Sequence, residues 1–214
     1  MDGPLRVLDA GCGNGRFGRA VAAHVGSVEY TGIDSDPALV DAARRQLDTL
    51  GQSVSVRLAV GDLLLEPLAD HLDADASFDC IGLFGVLHHV PGEARRIRLL
   101  TELAARLAPG GRLAASVWRL DHKPRFDRKR LPWDEHNRRA AARGEPAIDV
   151  DDLEPGDHLL TWSGDLDRPR YCHFPTDAEI ERWLEALSNV ELVHRFHADG
   201  REGDDNLYLV WGRP

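Results

Sequence analysis

The sequence predicts an α/β fold with a mostly parallel, seven-stranded sheet that ends in a C-terminal antiparallel hairpin. Three observations support this prediction. Apolar runs alternate with amphipathic stretches along residues 5–118, as in right-handed βαβ units. Glycines or acidic residues follow the predicted strands, where the chain must turn. The last two apolar runs flank a short turn region, and strands joined in this way pair antiparallel.

The individual elements follow from hydrophobic spacing and from residues typical of helix ends. Predicted strands cover 5–8, 28–33, 54–60, 78–84, 112–118, 190–196 and 207–211, and predicted helices cover 16–25, 37–50, 91–107 and 176–187. Asp36 and Pro37 are typical of an N-cap and a first helical residue. Thr176 and Glu179 match the capping box that opens a helix. Between 119 and 170 the pattern fails, so we expect a surface segment without regular secondary structure.

Composition limits the class of protein. A length of 214 residues predicts a single domain, 1–214, with a substrate-side insertion at about 119–170. Cys12, Cys80 and Cys172 lie far apart, which argues against a disulfide framework or a zinc site and favours a reducing compartment. Without a long apolar stretch or a signal-peptide pattern, we expect a cytoplasmic protein that does not bind membranes. The net charge of −10 argues against broad nonspecific binding of nucleic acid.

An acid and alternating glycines follow the first predicted strand, as Asp9-x-Gly11-x-Gly13-x-Gly15. Glycine permits positive φ and close contact with a ligand, and the next helix offers free N–H groups. A nucleotide-like ligand fits such a turn. The spacing of Gly13, Gly15 and Gly18 also matches the dinucleotide fingerprint, but that pattern should open directly at the strand end. A glycine turn without a ligand is the remaining alternative.

The acid-led pattern resembles motif I of the class I S-adenosylmethionine-dependent methyltransferases. The resemblance implies a Rossmann-like class I methyltransferase fold and S-adenosyl-L-methionine as cofactor. Ligands bind at the carboxyl ends of parallel strands, so we expect Asp34 to accept from the ribose hydroxyls and Asp62 from the adenine amino group. Helix capping is the alternative role of these acids. The expected cofactor-binding residues are Asp9, Gly11, Cys12, Gly13, Asn14, Gly15, Asp34, Ser35, Asp62, Leu63 and Phe84.

Two histidines, His88 and His89, follow the fourth predicted strand, where substrate and methyl group should meet. A histidine there could act as a base or bind an anion. The alternative is a packed, structural histidine. We expect no metal site, because no carboxylate lies at ligand spacing from them.

The stretch from Gly156-Asp157 through Trp162 to Arg170-Tyr171-Cys172-His173-Phe174 resembles the tRNA wobble-uridine carboxymethyl methyltransferases, although its last part is one residue shorter. The resemblance implies a carboxylate acceptor, positioned by His88, Arg170, Tyr171 and His173, and for eukaryotic members a small zinc-binding activator subunit. The alternative is a lid that only covers the sheet edge.

Residues 119–143 form a basic stretch, with nine Arg or Lys and four acidic residues. Such a stretch could track the phosphates of tRNA, although charge runs are usually solvated faces. The predicted function is therefore methylation of a carboxymethyl group on wobble uridine of tRNA. A methyltransferase of small metabolites, with His88 or His89 as base, is the first alternative, and a non-catalytic methyltransferase-like binding subunit is the second.

Overall fold

A seven-stranded sheet forms the centre of the computed structural model, which describes residues 3–121, 123–161 and 165–214. Within these described residues the strands are β1 Leu5–Ala10, β2 Val28–Asp34, β3 Val54–Val60, β4 Phe78–Leu83, β5 Leu107–Trp118, β6 Arg130–Leu131, β7 Asp157–Leu160, β8 Arg170–His173, β9 Glu191–Ala198 and β10 Asn206–Gly212. The large sheet has the order β3-β2-β1-β4-β5-β10-β9. Its first five strands run parallel, whereas β10 is antiparallel to both neighbours, which confirms the predicted fold class.

The helices are α1 Arg16–Ala22, α2 Pro37–Leu47, α3 Glu93–Ala105, α4 Pro124–Asp127, α5 Trp133–Ala142 and α6 Asp177–Ala186. Asp36 caps α2 as predicted, since its carboxylate accepts from the Ala38 N–H at 2.8 Å. Thr176 likewise caps α6 through the Glu179 N–H. The Glu179 carboxylate, however, does not close a capping box, because it reaches Arg96 and His173 instead.

Burial divides the helices between two cores. Leucines of α3 and Ile180 and Trp183 of α6 pack with β4, β5 and β10 in the larger core. Ala43 and Leu47 of α2 pack with β1 and β2 in the smaller one. The predicted helix 91–107 was too long, because the chain turns after Ala105 and Leu107 already pairs with Phe78. Within the described residues, no helix is long and apolar enough to cross a membrane.

The insertion contains regular structure, so the expectation of an irregular segment was wrong. Strands β6, β7 and β8 form a second, antiparallel sheet, in which Asp157 lies opposite His173. Helices α4 and α5 also fall within the basic stretch. The insertion has its own apolar cluster, formed by Leu120, Phe126, Leu160, Cys172 and Phe174. Burial of these side chains explains why a stretch without clear periodicity still folds, since each strand is too short to show a pattern. Trp162 lies outside the described residues.

Candidate active site

A cavity of about 860 Å³ opens at the carboxyl ends of β1, β2, β3 and β4. Except for Gly15, all of the expected cofactor-binding residues line it: Asp9, Gly11, Cys12, Gly13, Asn14, Asp34, Ser35, Asp62, Leu63 and Phe84. Three further residues line the cavity that the sequence analysis did not identify: Arg16, Leu39 and Leu64. The parallel topology explains this convergence, because it brings successive strand ends to one edge of the sheet.

The glycine loop after β1 has the backbone that a ligand cradle requires. Gly11, Gly13 and Gly15 all have positive φ, where a side chain would be strained. At Gly11 a Cβ would stand 2.2 Å from a methyl carbon of Val86, so packing alone excludes any larger residue. At Gly13 a Cβ would meet no atom within 4 Å. The loop therefore leaves open space at Gly13, which fits the close approach of a nucleotide-like cofactor. Gly15 shapes the turn behind this surface and touches Ala43 of α2.

Asp34 and Asp62 are held in place by backbone N–H groups. One Asp34 oxygen accepts from Gly13 at 2.7 Å, and the other accepts from Asp36 at 3.0 Å. Each carboxylate oxygen can accept more than one hydrogen bond, so Asp34 keeps capacity for a pair of ribose hydroxyls. The Asp62 carboxylate accepts a hydrogen bond from the Leu64 N–H at 2.9 Å, which closes a local turn. In this turn Asp62 lines the same cavity. These acids can therefore form local hydrogen bonds to the backbone and still accept hydrogen bonds from a cofactor, so the two interpretations are compatible with each other.

Asp9 differs from the other two acids because it is buried. Its exposed fraction is 2%, and the Tyr30 hydroxyl donates to it at 2.6 Å. Burial raises the pKa of Asp9 to about 6; the Tyr30 hydrogen bond works in the opposite direction, and the nearby Asp34 charge adds to the rise. Burial also raises the pKa of the Cys12 thiol to about 12, so this cysteine is neutral and not a reactive thiolate. A cationic ligand would stabilise the ionised form of Asp9.

His89, Arg170 and Tyr171 also line the cavity, beside the residues of the cofactor loops. The His89 Nδ1 lies 2.9 Å from the carbonyl oxygen of Tyr171. A carbonyl can only accept, so Nδ1 carries the proton. Burial lowers the pKa of His89, helped by the Arg170 charge and opposed by the Tyr171 hydrogen bond. His89 is therefore neutral near pH 7, and its Nε2 is an acceptor.

The structure does not bring His88 to the cavity wall. Its exposed fraction is 1%, and its ring stacks on Trp118 with centroids 3.5 Å apart. Burial lowers its pKa well below the usual value, and the adjacent His89 adds to this effect. The expected contact of His88 with the acceptor is therefore not supported by its position, and His89 lines the cavity instead. Adjacent residues of the short turn Leu87–His89 point in different directions, and sequence spacing cannot tell which one faces the cavity.

His173 is also buried away from the cavity. Its Nδ1 lies 2.6 Å from Asp157, and its Nε2 lies 2.8 Å from Glu179. The Tyr171 hydroxyl donates to the same Asp157 oxygen at 2.6 Å, so its proton is not offered to a substrate. Of the four residues expected to bind the acceptor, Arg170 and Tyr171 line the cavity, whereas His88 and His173 do not.

A buried polar network extends from His173 to α3. Arg96, which is fully buried, donates to Glu179 at 2.7 Å and to Glu154. Glu154, Asp157 and His173 also offer atoms within 4.8 Å of one another, a spacing that suits a metal ion. Those atoms already have hydrogen-bond partners in Arg96, Tyr171 and Glu179. The sequence analysis missed Arg96, although a signal existed: it lies three and four residues before Leu99 and Leu100, on the apolar face of α3.

Carboxylates of the same chain pair with most cations of the basic stretch. Lys123 lies 2.7 Å from Glu202 and 2.5 Å from Asp204, both in the turn between β9 and β10. The paired residues are Arg119, Lys123, Arg125, Arg130, Arg138, Arg139 and Arg143. The electrostatic field of this stretch is thus weaker than its composition indicates.

Residues 8–113 match the family described as "Methyltransferase domain". The chain superposes on an S-adenosylmethionine-dependent methyltransferase from Methanosarcina mazei with a TM-score of 0.69 at 18% identity, covering 100% of this chain and 94% of the other. Combined with the glycine loop and the strand-end acids, these findings show that the chain contains a methyltransferase domain of the class I, S-adenosylmethionine-dependent type, with a site that fits S-adenosyl-L-methionine as cofactor.

Two groups of relatives differ in the substrates that their names indicate. The chain is 32% identical over 145 residues to the probable tRNA methyltransferase 9B of Bos taurus, covering 65% of this chain and 28% of the bovine one. It is 39% identical over 116 residues to the ubiquinone biosynthesis O-methyltransferase of Xylella fastidiosa strain 9a5c, covering 52% and 41%. The chain thus spans well under half the length of either relative. Of the two relatives, the probable tRNA methyltransferase matches this chain over the longer stretch of sequence.

Proposed function

We propose that this protein transfers a methyl group from S-adenosylmethionine to the carboxylate of a carboxymethyl group on wobble uridine of tRNA. The observation that carries the proposal is Arg170, an exposed cation on β8 that lines the cavity beside the cofactor loops. The similarity to the bovine tRNA methyltransferase 9B sequence supports a tRNA substrate.

The chemistry asks little of the protein beyond alignment. S-adenosylmethionine supplies an electrophilic methyl group on a sulfonium, and a carboxylate oxygen can attack it without a base. The guanidinium of Arg170 can hold one carboxylate edge through two N–H donors and leave a lone pair free for the attack. Phe84 and Val86 give the same space an apolar wall. The product is a methyl ester.

The test is incubation with labelled S-adenosylmethionine and either bulk tRNA or pooled small acids. We expect the label in tRNA, in a product that alkali releases as an ester. Replacing Arg170 with Ala should lower kcat/KM at least ~10-fold, since a charged hydrogen bond is lost. Arg168→Ala is the matched control: this arginine is exposed and does not line the cavity, so its loss should change kcat/KM little.

A second candidate is methylation of a hydroxyl group on a small metabolite. Neutral His89, with an unprotonated Nε2, suits a general base better than an anion-binding group. The similarity to the ubiquinone biosynthesis O-methyltransferase points the same way. This candidate predicts a base-stable ether product and a pH profile with an acidic limb that His89→Gln abolishes. An alkali-labile product would exclude it.

Two partners belong to the proposal. The basic stretch 119–143 would contact tRNA phosphates, and a small zinc-binding subunit would activate the enzyme, as in the eukaryotic members of the resembled family. The assay is therefore run with the protein alone and after addition of such a subunit. Full activity of the protein alone would argue against an activator.

A further inference from the structure

The buried polar network contacts the acceptor side of the cavity at Tyr171. We infer that His173 is a positioning residue, an imidazolium clamped between Asp157 and Glu179 that fixes Tyr171 in the wall and, through the Tyr171 carbonyl, fixes the tautomer of His89. The inference rests on the proposed assignment of this wall to the methyl acceptor.

The first step is the charge on His173. Both ring nitrogens face carboxylates, with Nδ1 2.6 Å from Asp157 and Nε2 2.8 Å from Glu179. A carboxylate at each nitrogen requires a proton on each, which is the imidazolium form. Burial alone lowers the pKa of His173, but the hydrogen bonds to Asp157 and Glu179 outweigh it, so the pKa is raised.

The surroundings support this charge state. Glu154, Asp157 and Glu179 are the acids around the ring, and Arg96 is the cation beside them. A neutral His173 would leave one cation to balance three acids, of which Asp157 and Glu179 are buried and Glu154 is half-buried. His158, on the neighbouring strand β7, disfavours the charge only weakly, because burial and Arg130 lower its own pKa and keep it neutral.

The second step runs from Asp157 to the wall. One oxygen of Asp157 accepts from both His173 and the Tyr171 hydroxyl, each at 2.6 Å. The other oxygen accepts from the Glu154 N–H at 3.0 Å. With the carboxylate held from three sides, the Tyr171 ring has one orientation. Gly156 permits this arrangement, because a Cβ there would stand 2.9 Å from the His173 ring and 2.3 Å from the Phe174 carbonyl.

The third step links Tyr171 to His89. The Tyr171 carbonyl accepts from the His89 Nδ1 at 2.9 Å, which leaves Nε2 as the unprotonated nitrogen. His173 thus influences the tautomer of His89 through Asp157 on β7 and Tyr171 on β8, although His173 itself does not line the cavity. This makes the Gly156-Asp157 and Arg170–Phe174 stretches one interlocked unit, in which only Arg170 and Tyr171 face the acceptor.

The test uses protein labelled with ¹⁵N-histidine, whose ring spectra distinguish imidazolium from the two neutral tautomers. At about pH 7 we expect His173 as imidazolium and His89 as a single Nδ1–H tautomer. His173→Gln and Tyr171→Phe should each turn the His89 signal into a mixture of tautomers. Signals are assigned by substituting each histidine in turn. His158→Gln is the matched control, since this histidine lies on β7 but outside the network, and it should leave the His89 signal unchanged.

A kinetic readout separates positioning from stability. Tyr171→Phe should raise the KM for the acceptor roughly tenfold, the effect of one hydrogen bond to a charged group, and leave the affinity for S-adenosylmethionine unchanged. If His173→Gln does not fold, Tyr171→Phe decides, since it removes only one hydroxyl. A neutral His173 in the wild type, or a His89 tautomer that neither variant disturbs, overturns the inference. Because the spectra need no acceptor, they remain decisive even if the proposed tRNA substrate is wrong.

Discussion

The two walls of the cavity are built in different ways. On the cofactor side, the wall is shaped mainly by the backbone. The glycines after β1 have positive φ, and the acidic side chains accept hydrogen bonds from nearby N–H groups. On the acceptor side, side chains from α3, β7, β8 and α6 hold the wall through charged hydrogen bonds. The first wall is local in sequence, whereas the second joins residues more than 80 positions apart, such as Arg96 and Glu179.

This difference indicates where variation is tolerated. A local cradle keeps its geometry when distant residues change, and it suits a cofactor common to a whole class of enzymes. A network of long-range ion pairs fails when any member is lost, because buried charges are left without partners. On the acceptor wall, loss of one charged residue should therefore threaten the fold, whereas on the cofactor wall the loss of Asp34 should mainly affect cofactor binding.

The largest expected effect is on stability, from Arg96→Met. This change removes the buried cation that pairs with Glu179 and with the half-buried Glu154, and we expect the free energy of unfolding to fall by ~3–5 kcal/mol. Denaturant unfolding followed by circular dichroism measures it. Arg98→Met is the control on the same helix, because Arg98 is 44% exposed and pairs with Glu102 at 3.8 Å. Its cost should stay below about 1 kcal/mol, and equal costs would contradict the comparison.

Cofactor affinity is the next effect in size. Two charge-assisted hydrogen bonds from Asp34 to the ribose are each worth ~1.5–3 kcal/mol, so Asp34→Ala should weaken binding of S-adenosylmethionine roughly 10²-fold. Titration calorimetry measures the change. Asp41→Ala, on the exposed side of α2, is the control and should bind like the wild type. Unchanged affinity in Asp34→Ala, or a preference of the wild type for NAD, would remove Asp34 from the cofactor site.

The pH dependence of cofactor binding gives a smaller effect. The raised pKa of Asp9, about 6, means that the free protein takes up a proton there as the pH falls through this value. S-adenosylmethionine carries positive charge, so it should bind the ionised form better and lower this pKa. Affinity should therefore increase as the pH rises through about 6 and level off above it, with proton release detectable in buffers of different ionisation enthalpy. Asp9→Asn should show a flat profile, and a flat wild-type profile would exclude this linkage.

The smallest effect concerns RNA. Replacing Arg128, Lys129 and Arg130 with Ala should lower the salt slope of tRNA binding by about three units at most, near one unit for each phosphate contact. The comparison is replacement of Arg138, Arg139 and Arg143, each of which pairs with an acid of the same chain, as Arg130 does with Asp121; we expect it to lower the slope by no more than the first set. Filter binding over a range of salt concentrations measures both slopes. A wild-type protein that does not bind tRNA would identify the stretch as a solvated face.

The same difference between the walls explains what the sequence could predict. The alternation of strands and helices, the glycine loop and the strand-end acids follow from local patterns, and the structure confirms the fold class. The acceptor wall does not follow from them. Glu179 matched a capping box, yet its side chain joins Arg96, a partner 83 residues away that no local rule identifies. His88 and His89 were indistinguishable by position, because burial in a short turn decides which ring faces the cavity.

The small strands of the insertion were missed for another reason. Strand β6 has two residues and β7 and β8 have four each, too short for a hydrophobic period to emerge. Their pairing depends on contacts across the insertion, such as Asp157 opposite His173. Such contacts depend on the three-dimensional arrangement of α3 and α6, which a short stretch of sequence does not reveal.

The pairing of Lys123 and Arg125 with the turn between β9 and β10 gives the basic stretch built-in counter-ions. Any polyanion arriving there must displace Glu202, Asp204 and Asp205, so binding is an exchange of anions and not a simple addition. Added salt weakens the ion pairs within the chain as well as those with the bound polyanion. Discrimination between tRNA and other polyanions would then depend more on shape complementarity than on charge. Displacement would also break the ion pairs that join this turn to Lys123 and Arg125 at α4. A polyanion bound to this surface would therefore change the contacts of the turn between β9 and β10, at the edge of the central sheet.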